Sequence, residues 1–466
     1  MMERKRIVVV GGGPGGYIAA IRAAQLGAEV TLVEREKVGG TCLHEGCIPT
    51  KTLLQTAHAY FSPACSGAFG VKLTAELDMG AAQDNRERVI KRLENGVAGL
   101  LKANGVSVVQ GCAEFLEDGG LQVNAASGTV RLSWDSVILA TGSATVMPGI
   151  PGADHACCIT SREALLLREL PKSLVIVGGG VIGVEMASIY ASLGVRVDIV
   201  EMCPQILPMF DAEFAALAQS GLEALGVKFF LGSKVSRIEA RQDGGMVTVV
   251  DPDGAESDLS AENVLLSVGR KPDCTGLHPE RAGIRCERGT IAVDDRMETN
   301  VKGIFAVGDC NGRILLAHAA SAQGEVAAEN AMGGRAVFCG EAVPSCVYSE
   351  PELSMVGITE ATAKARRIPY VASTVVLESN ARCMTMRQSG RIKLIAGAVD
   401  GDILGVQIAG PFATELIATP ELAIKGELTV DEIISCIAAH PSVGEAIREA
   451  ALQIRNRPLQ SVLKRS

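Results

Sequence analysis

Aromatic side chains are scarce in this chain: one Trp, five Tyr and ten Phe among 466 residues. That scarcity argues against a stacking platform for bases or sugars. Basic runs are missing too, and 44 Lys and Arg against 53 Asp and Glu give a formal net charge of -9. Neither nucleic acid nor an anionic membrane surface is an expected partner. No apolar run approaches the roughly 20 residues of a membrane span. The stretch from Ser173 to Val184 is short and bounded by Lys172 and Glu185, and the N-terminal run is interrupted by Pro14 and five glycines. The latter reads as a strand and turn rather than a signal peptide, so a soluble, cytoplasmic protein is expected. No second C-x-x-C or H-x-H cluster accompanies the cysteines, and no bound metal is expected.

What is abundant is glycine, 52 residues of it, with Ala, Val and Ile. The length exceeds the roughly 250 to 300 residues of a single core, which predicts two to four α/β domains. The segments VVVGGGPGGYIAAIRAAQLGAEVTLVE (8–34) and VIVGGGVIGVEMASIYASLGVRVDIVE (175–201) match at a constant offset. Each runs strand, glycine turn, helix, strand and terminal acid, the pattern of a dinucleotide-binding unit. In G-x-G-x-x-G the first glycine (Gly11, Gly178) makes the turn. The second (Gly13, Gly180) lets the backbone approach a pyrophosphate, and the third (Gly16, Gly183) lets helix pack on strand. Glu34 and Glu201 would accept ribose hydroxyls and repel a 2′-phosphate, which favours NAD over NADP at Glu201. Two such sites in one chain suggest a flavin paired with a nicotinamide. The strand in TNVKGIFAVGDC delivers Asp309 to its carboxyl end, where α/β sheets place ligand contacts.

The stretch GGTCLHEGCIPTK sets Cys42 and Cys47 five positions apart. In one ideal helix their Cα atoms would be about 8.7 Å apart, beyond the roughly 7 Å limit for a disulfide. Gly46 permits a bend and Pro49 suits a first helical turn, so Cys42 is expected in an approach loop and Cys47 at a helix start. There the helix N-terminus favours a thiolate at Cys47, while Cys42 meets an external thiol or disulfide. A fixed disulfide, two inert thiols or a zinc site including His44 are the competing readings; His44 is expected to be exposed. His318 and His440 are the candidate proton acceptors. His440 is preferred because Pro441 holds it out of helix, Ser442 can cap the next helix and Glu445 can orient the imidazole. Lys51 lies one turn beyond Cys47, with Glu185 as its expected partner. The adjacent Cys157 and Cys158 read as structural or incidental.

Together, GGGPGGYIAAIRAAQLG, GGTCLHEGCIPTK, GGGVIGVE, FAVGD and AHPSVGE resemble the flavin-dependent pyridine nucleotide–disulfide oxidoreductases over nearly the whole chain. The resemblance implies two Rossmann-like domains, for FAD and NAD, and a C-terminal α+β dimerisation domain. Its boundaries would be 1–143 and 265–336 for FAD, 144–264 for NAD and 337–466 for the dimer interface. It implies FAD contacts at Gly11, Gly13, Pro14, Gly15, Gly16, Glu34, Gly40, Thr41, Lys51, Ala113, Thr141, Gly142, Asp309 and Ala317. NAD contacts would be Gly178, Gly180, Ile182, Gly183, Glu201, Val235 and Gly269. By the same likeness Cys42 is the interchange thiol and Cys47 the charge-transfer thiol, and His440, held by Glu445, is the base supplied across a homodimer. The His440–Pro441 bond would be cis. Within the family the likeness is strongest to members that oxidise dihydrolipoamide, which implies a lipoyl-bearing acyltransferase or carrier protein of a multienzyme complex as partner. His44, Glu45, Ser442 and Gly444 depart from common family choices. No arginine cluster follows Glu201 as an NADP-dependent member would require.

Overall fold

The computed structural model describes residues 4–461. The first repeat builds a parallel sheet in the order Ile304–Ala306, Ser136–Leu139, Arg6–Val10, Glu29–Glu34, Ser107–Gln110. Ile7, Val8, Val9 and Val10 are all buried, as a strand covered on both faces requires. The second repeat builds a matching sheet in the order Lys228–Leu231, Arg196–Glu201, Ser173–Val177, Asn263–Leu266, Cys158–Ile159. Between the two sheets the chain crosses through an antiparallel pair, Ser143–Thr145 with Arg270–Pro272.

The third unit has no glycine fingerprint. Its antiparallel sheet runs Ser345–Val347, Leu353–Gly357, Ile403–Ala409, Arg391–Gly397, Tyr370–Val376. The helix Glu445–Ile454 packs on it through Ala446, Ile447, Ala450 and Ala451, which share one core cluster with Ile392 and Leu394 of the sheet. Ser442 does not cap that helix: Gly444 is the N-cap residue and has no side chain to offer. The Ser442 backbone N–H donates instead to Glu445 Oε2 at 2.7 Å.

A buried cation fastens this unit to the second one. Lys393 has 6% of its side chain exposed and reaches Asp211 at 3.0 Å, Glu360 at 3.6 Å and Glu213. Gln407 Nε2 donates to the same Asp211 carboxylate at 2.7 Å. A charge this far from water persists only with several partners, and here they come from separate units.

Candidate active site

Each glycine loop is closed by backbone contact that leaves no room for a side chain. A Cβ on Gly11, whose φ is +102°, would meet Ala140 O at 2.2 Å, and one on Gly16 would meet Gly11 O at 1.8 Å. The second loop repeats this: Cβ atoms on Gly178 and Gly183 would meet Ser267 O at 2.6 Å and Gly178 O at 2.0 Å. The middle glycines differ. A Cβ on Gly13 would find nothing closer than Gly40 Cα at 3.9 Å, and one on Gly180 would find nothing within 4 Å. Open space thus lies beside the start of each following helix, and neither helix start has a side-chain cap. Those free N–H groups and that space fit a pyrophosphate. Pro14 occupies the first turn, where its missing N–H costs nothing.

The two terminal acids do more than the sequence suggests. Glu34 accepts the Gly12 N–H at 2.6 Å and the Glu36 N–H at 2.7 Å; Glu201 accepts those of Gly179 and Cys203 at 2.6 and 2.7 Å. Each carboxylate therefore clamps its own glycine loop and keeps lone pairs for ribose hydroxyls.

Around the first loop the structure gathers most of the expected FAD residues. Gly40 packs on Gly13, and Thr141 and Gly142 continue from the Ala140 contact. Gly15 lies in the first turn of its helix, where a Cβ would meet Val307 Cγ2 at 3.1 Å, two residues before Asp309. Ala317 opens the helix Ala317–Ala331, and Ala113 is buried on the strand Cys112–Phe115. Thr41 is exposed in the first turn of a short helix. Of the expected NAD residues, Ile182 is in the first turn after Gly180 and Gly269 receives the Val146 N–H at 3.0 Å. Val235 lies beside a bulge in the strand Lys234–Arg241, two residues after Ser233, whose N–H donates to Glu201 O at 3.0 Å. Sequence reasoning missed Ser143 and Arg270. Ser143 Oγ donates to Asp309 at 2.5 Å and accepts from Arg270 Nε at 2.8 Å, tying the crossing strands to the FAD side.

The cysteine pair sits where two helices meet. Cys42 is inside a short helix, Gly40–Glu45, which corrects the expected loop. Gly39, in the left-handed region at φ 107°, turns the chain, and buried Leu43 anchors the turn. Gly46 breaks the path with φ −138° and ψ −108°, and Cys47 begins the helix Cys47–Ser66. Both cysteines carry free thiols and are hydrogen-bonded to each other. The hydrogen bond from Cys42, helped by the Lys51 charge and the residue's own N–H, brings the Cys47 thiol down to about 7 despite burial. Sharing its proton with Cys47, and burial, push the Cys42 thiol well up.

Lys51 Nζ is 2.9 Å from both carboxylate oxygens of Glu185. Burial pushes Glu185 above the usual carboxylate range, and Lys51 opposes that. Tyr348 is a third residue the sequence concealed. Its N–H donates to Glu185 at 3.1 Å and its ring lies 4.4 Å from Lys51 Nζ. His44 is half-buried, not exposed, with Nε2 donating to Val38 O at 2.9 Å; Glu45 pairs with Arg162 at 3.0 Å. Both departures from the common pattern thus hold the cysteine segment in place.

His440 and Glu445 form a separate pair in the third unit. His440 Nδ1 is 2.9 Å from Glu445 Oε1, the ring is 70% exposed, and the His440–Pro441 bond is cis. Burial pushes Glu445 up, but hydrogen bonds from His440, the Ser442 N–H and Gln460 outweigh it and lower its pKa. No hydrogen bond among the described residues joins His440 to the cysteines of its own chain. His318 is occupied by Pro344 O at 2.7 Å. No group of three or more His, Cys, Asp or Glu among the described residues is placed to hold a metal, and no described helix is long and apolar enough to cross a membrane.

Residues 5–324 match the pyridine nucleotide-disulphide oxidoreductase family, and residues 343–451 match its dimerisation domain. The chain belongs to that family. It is 40% identical over 455 residues to a dihydrolipoyl dehydrogenase of Thermus scotoductus, covering 97% of each. It is 38% identical over 456 residues to dihydrolipoyl dehydrogenase 2 of Haloarcula marismortui, covering 96% of each. Among solved structures it is similar to LpdA of Mycobacterium tuberculosis (TM-score 0.89, 28% identity, 97% of this chain and 99% of that one). Another is the HOCl-induced flavoprotein disulfide reductase RclA of Escherichia coli (TM-score 0.84, 29% identity, 96% and 99%). The chain's family and its dihydrolipoyl dehydrogenase relatives give it FAD and NAD as cofactors, and both glycine cradles fit such dinucleotides.

The first cradle supports a direct test. Gly16→Ala sets a methyl against fixed backbone and should cost about 3 kcal/mol or more, with FAD lost from the purified protein. Gly13→Ala meets open space, so it should leave the fold intact and still lose FAD. Flavin absorbance per mole of protein, beside thermal unfolding, separates the two; full FAD content in both variants would remove the cradle from consideration.

Proposed function

We propose that this protein oxidises dihydrolipoyl groups carried by a partner protein of a 2-oxo acid dehydrogenase-type complex, passing electrons through the Cys42–Cys47 pair and FAD to NAD. The observation that carries the reading is the hydrogen-bonded thiol pair at a helix start, with Lys51 one turn on, between two dinucleotide cradles. The protein acts as a homodimer through its dimerisation domain, and in the cytoplasm, whose reducing conditions suit cysteines scattered through the chain.

In the oxidised protein Cys42 and Cys47 form a disulfide. A dihydrolipoyl thiol attacks Cys42 Sγ, the S–S bond breaks, and its electron pair stays on Cys47 as thiolate, stabilised by Lys51 and the helix N-terminus. The substrate proton passes to Nε2 of His440 of the partner subunit. Glu445 accepts from Nδ1–H and so leaves Nε2 as the basic nitrogen. That proton moves on to Cys42 when the second substrate thiol displaces it, losing its own proton to His440, and cyclic lipoyl disulfide leaves. FAD, when bound, supplies the two-electron relay between the reduced pair and NAD. Glu201, next to the second cradle, disfavours a 2′-phosphate and keeps the nucleotide NAD.

Steady-state rates test this assignment. NAD reduction by dihydrolipoamide should exceed NADPH-dependent reduction of glutathione disulfide or mercuric ion by about 100-fold or more in kcat/KM. Preference for either of the latter would overturn it.

A further inference from the structure

The adjacent pair Cys157 and Cys158 takes no part in the chemistry above, yet it is built unlike the other scattered cysteines. Both residues are half-buried, and both pack against the same hydrophobic cluster, that of Val247, Val249 and Val264. Cys158 opens the edge strand Cys158–Ile159 of the second sheet, opposite Val264, and its thiol donates to Gly152 O at 3.5 Å. Cys157 O receives the Val264 N–H at 2.8 Å, and its sulfur lies against Gly245, only 2.9 Å from where a Cβ there would stand. Two adjacent thiols are thus anchored on one cluster at the seam between the parallel sheet and the antiparallel strands beside it.

That placement suits one chemistry better than another. Neighbouring Cα atoms across a trans peptide are about 3.8 Å apart. An unstrained disulfide needs roughly 4.4 Å or more. The two cis bonds among the described residues are elsewhere, so the Cys157–Cys158 peptide is trans and a direct S–S bond would be strained. Burial and then the neighbouring Cys157 push the Cys158 thiol up to about 12, which makes it a poor attacking group for thiol exchange. One thiophilic atom bridging the sulfurs removes the strain, because each sulfur bonds to it rather than to the other.

We propose that Cys157 and Cys158 form a chelating site for trivalent arsenicals and similar thiophilic centres, separate from the Cys42–Cys47 pair. With phenylarsine oxide the step is a condensation. Two As–S bonds form, the As–O bond breaks, and the oxygen leaves as water with both thiol protons. Arsenic stays trivalent throughout, so no oxidant or reductant is required.

The test uses FAD-loaded protein carrying Cys42→Ser and Cys47→Ser, so that the other dithiol is silent, treated with phenylarsine oxide under an excess of a monothiol that strips singly bound adducts. Intact mass should show one phenylarsenic group per chain, and peptide mapping should place it across Cys157 and Cys158. Adding Cys157→Ser or Cys158→Ser should cut that occupancy at least tenfold with flavin content unchanged, whereas adding Cys274→Ser should leave it whole. An adduct that survives Cys157→Ser, or no adduct until the protein is denatured, overturns the proposal.

Discussion

Cys47→Ser will keep its FAD and lose turnover of dihydrolipoamide by about 1,000-fold or more, because no disulfide can then form at the helix start. Cys42→Ser will lose as much, but the two variants will differ in colour. Cys42→Ser retains the sulfur at the helix N-terminus beside Lys51, and so the long-wavelength absorbance that a thiolate lends to an oxidised flavin; Cys47→Ser lacks it. In the wild-type protein reduced by two electrons that absorbance should follow the Cys47 proton. With its thiol brought down to about 7 from an ordinary 9.0, the band is present above that pH and fades as the pH falls through it. The Lys51 charge favours the thiolate, so Lys51→Met should move the midpoint to higher pH. A band that persists in Cys47→Ser would end the assignment of that thiol.

Two inactive proteins will make an active one when Cys42→Ser and His440→Gln subunits are exchanged. Each homodimer should fall by about 100-fold or more, the first for want of a disulfide and the second for want of a general base. In a mixed dimer, one site pairs intact cysteines with an intact His440 of the partner subunit, and the other site has neither. Random exchange makes half the dimers mixed, each with one working site, so about a quarter of wild-type activity should return. The exposed imidazole, bonded within its chain to Glu445 and to no cysteine, motivates the experiment. If native mass spectrometry shows mixed dimers while activity stays flat, His440 does not act across the interface.

The parts of this protein that could be read directly are those where the constraint is local. Gly16 excludes a side chain because its neighbour is the backbone of Gly11, five positions away, so the residue type itself records the contact. The bend at Gly46 and the closeness of His440 to Glu445 are likewise short-range. The helix around Cys42 is not legible in the sequence because it depends on Leu43 reaching the core and on His44 holding Val38, and neither leaves a periodic trace. Lys393 meets Asp211 across 182 positions and Ser143 meets Asp309 across 166. Such partners carry no spacing rule, and nothing short of the folded chain pairs them.

The first sheet is completed out of order. Its strand Ser136–Leu139 is flanked on one side by Ile304–Ala306, and its Pro14–Gln25 helix is covered by Ala317–Ala331. Both closing pieces emerge from the ribosome only after the entire second glycine unit, which is continuous in the chain and can close while the first still waits. Until then the nascent protein carries an unpaired strand edge, the feature most prone to joining another chain. The surroundings of the first glycine loop are therefore completed late in the synthesis of this protein, timed by connectivity even though the loop itself is among the first residues made.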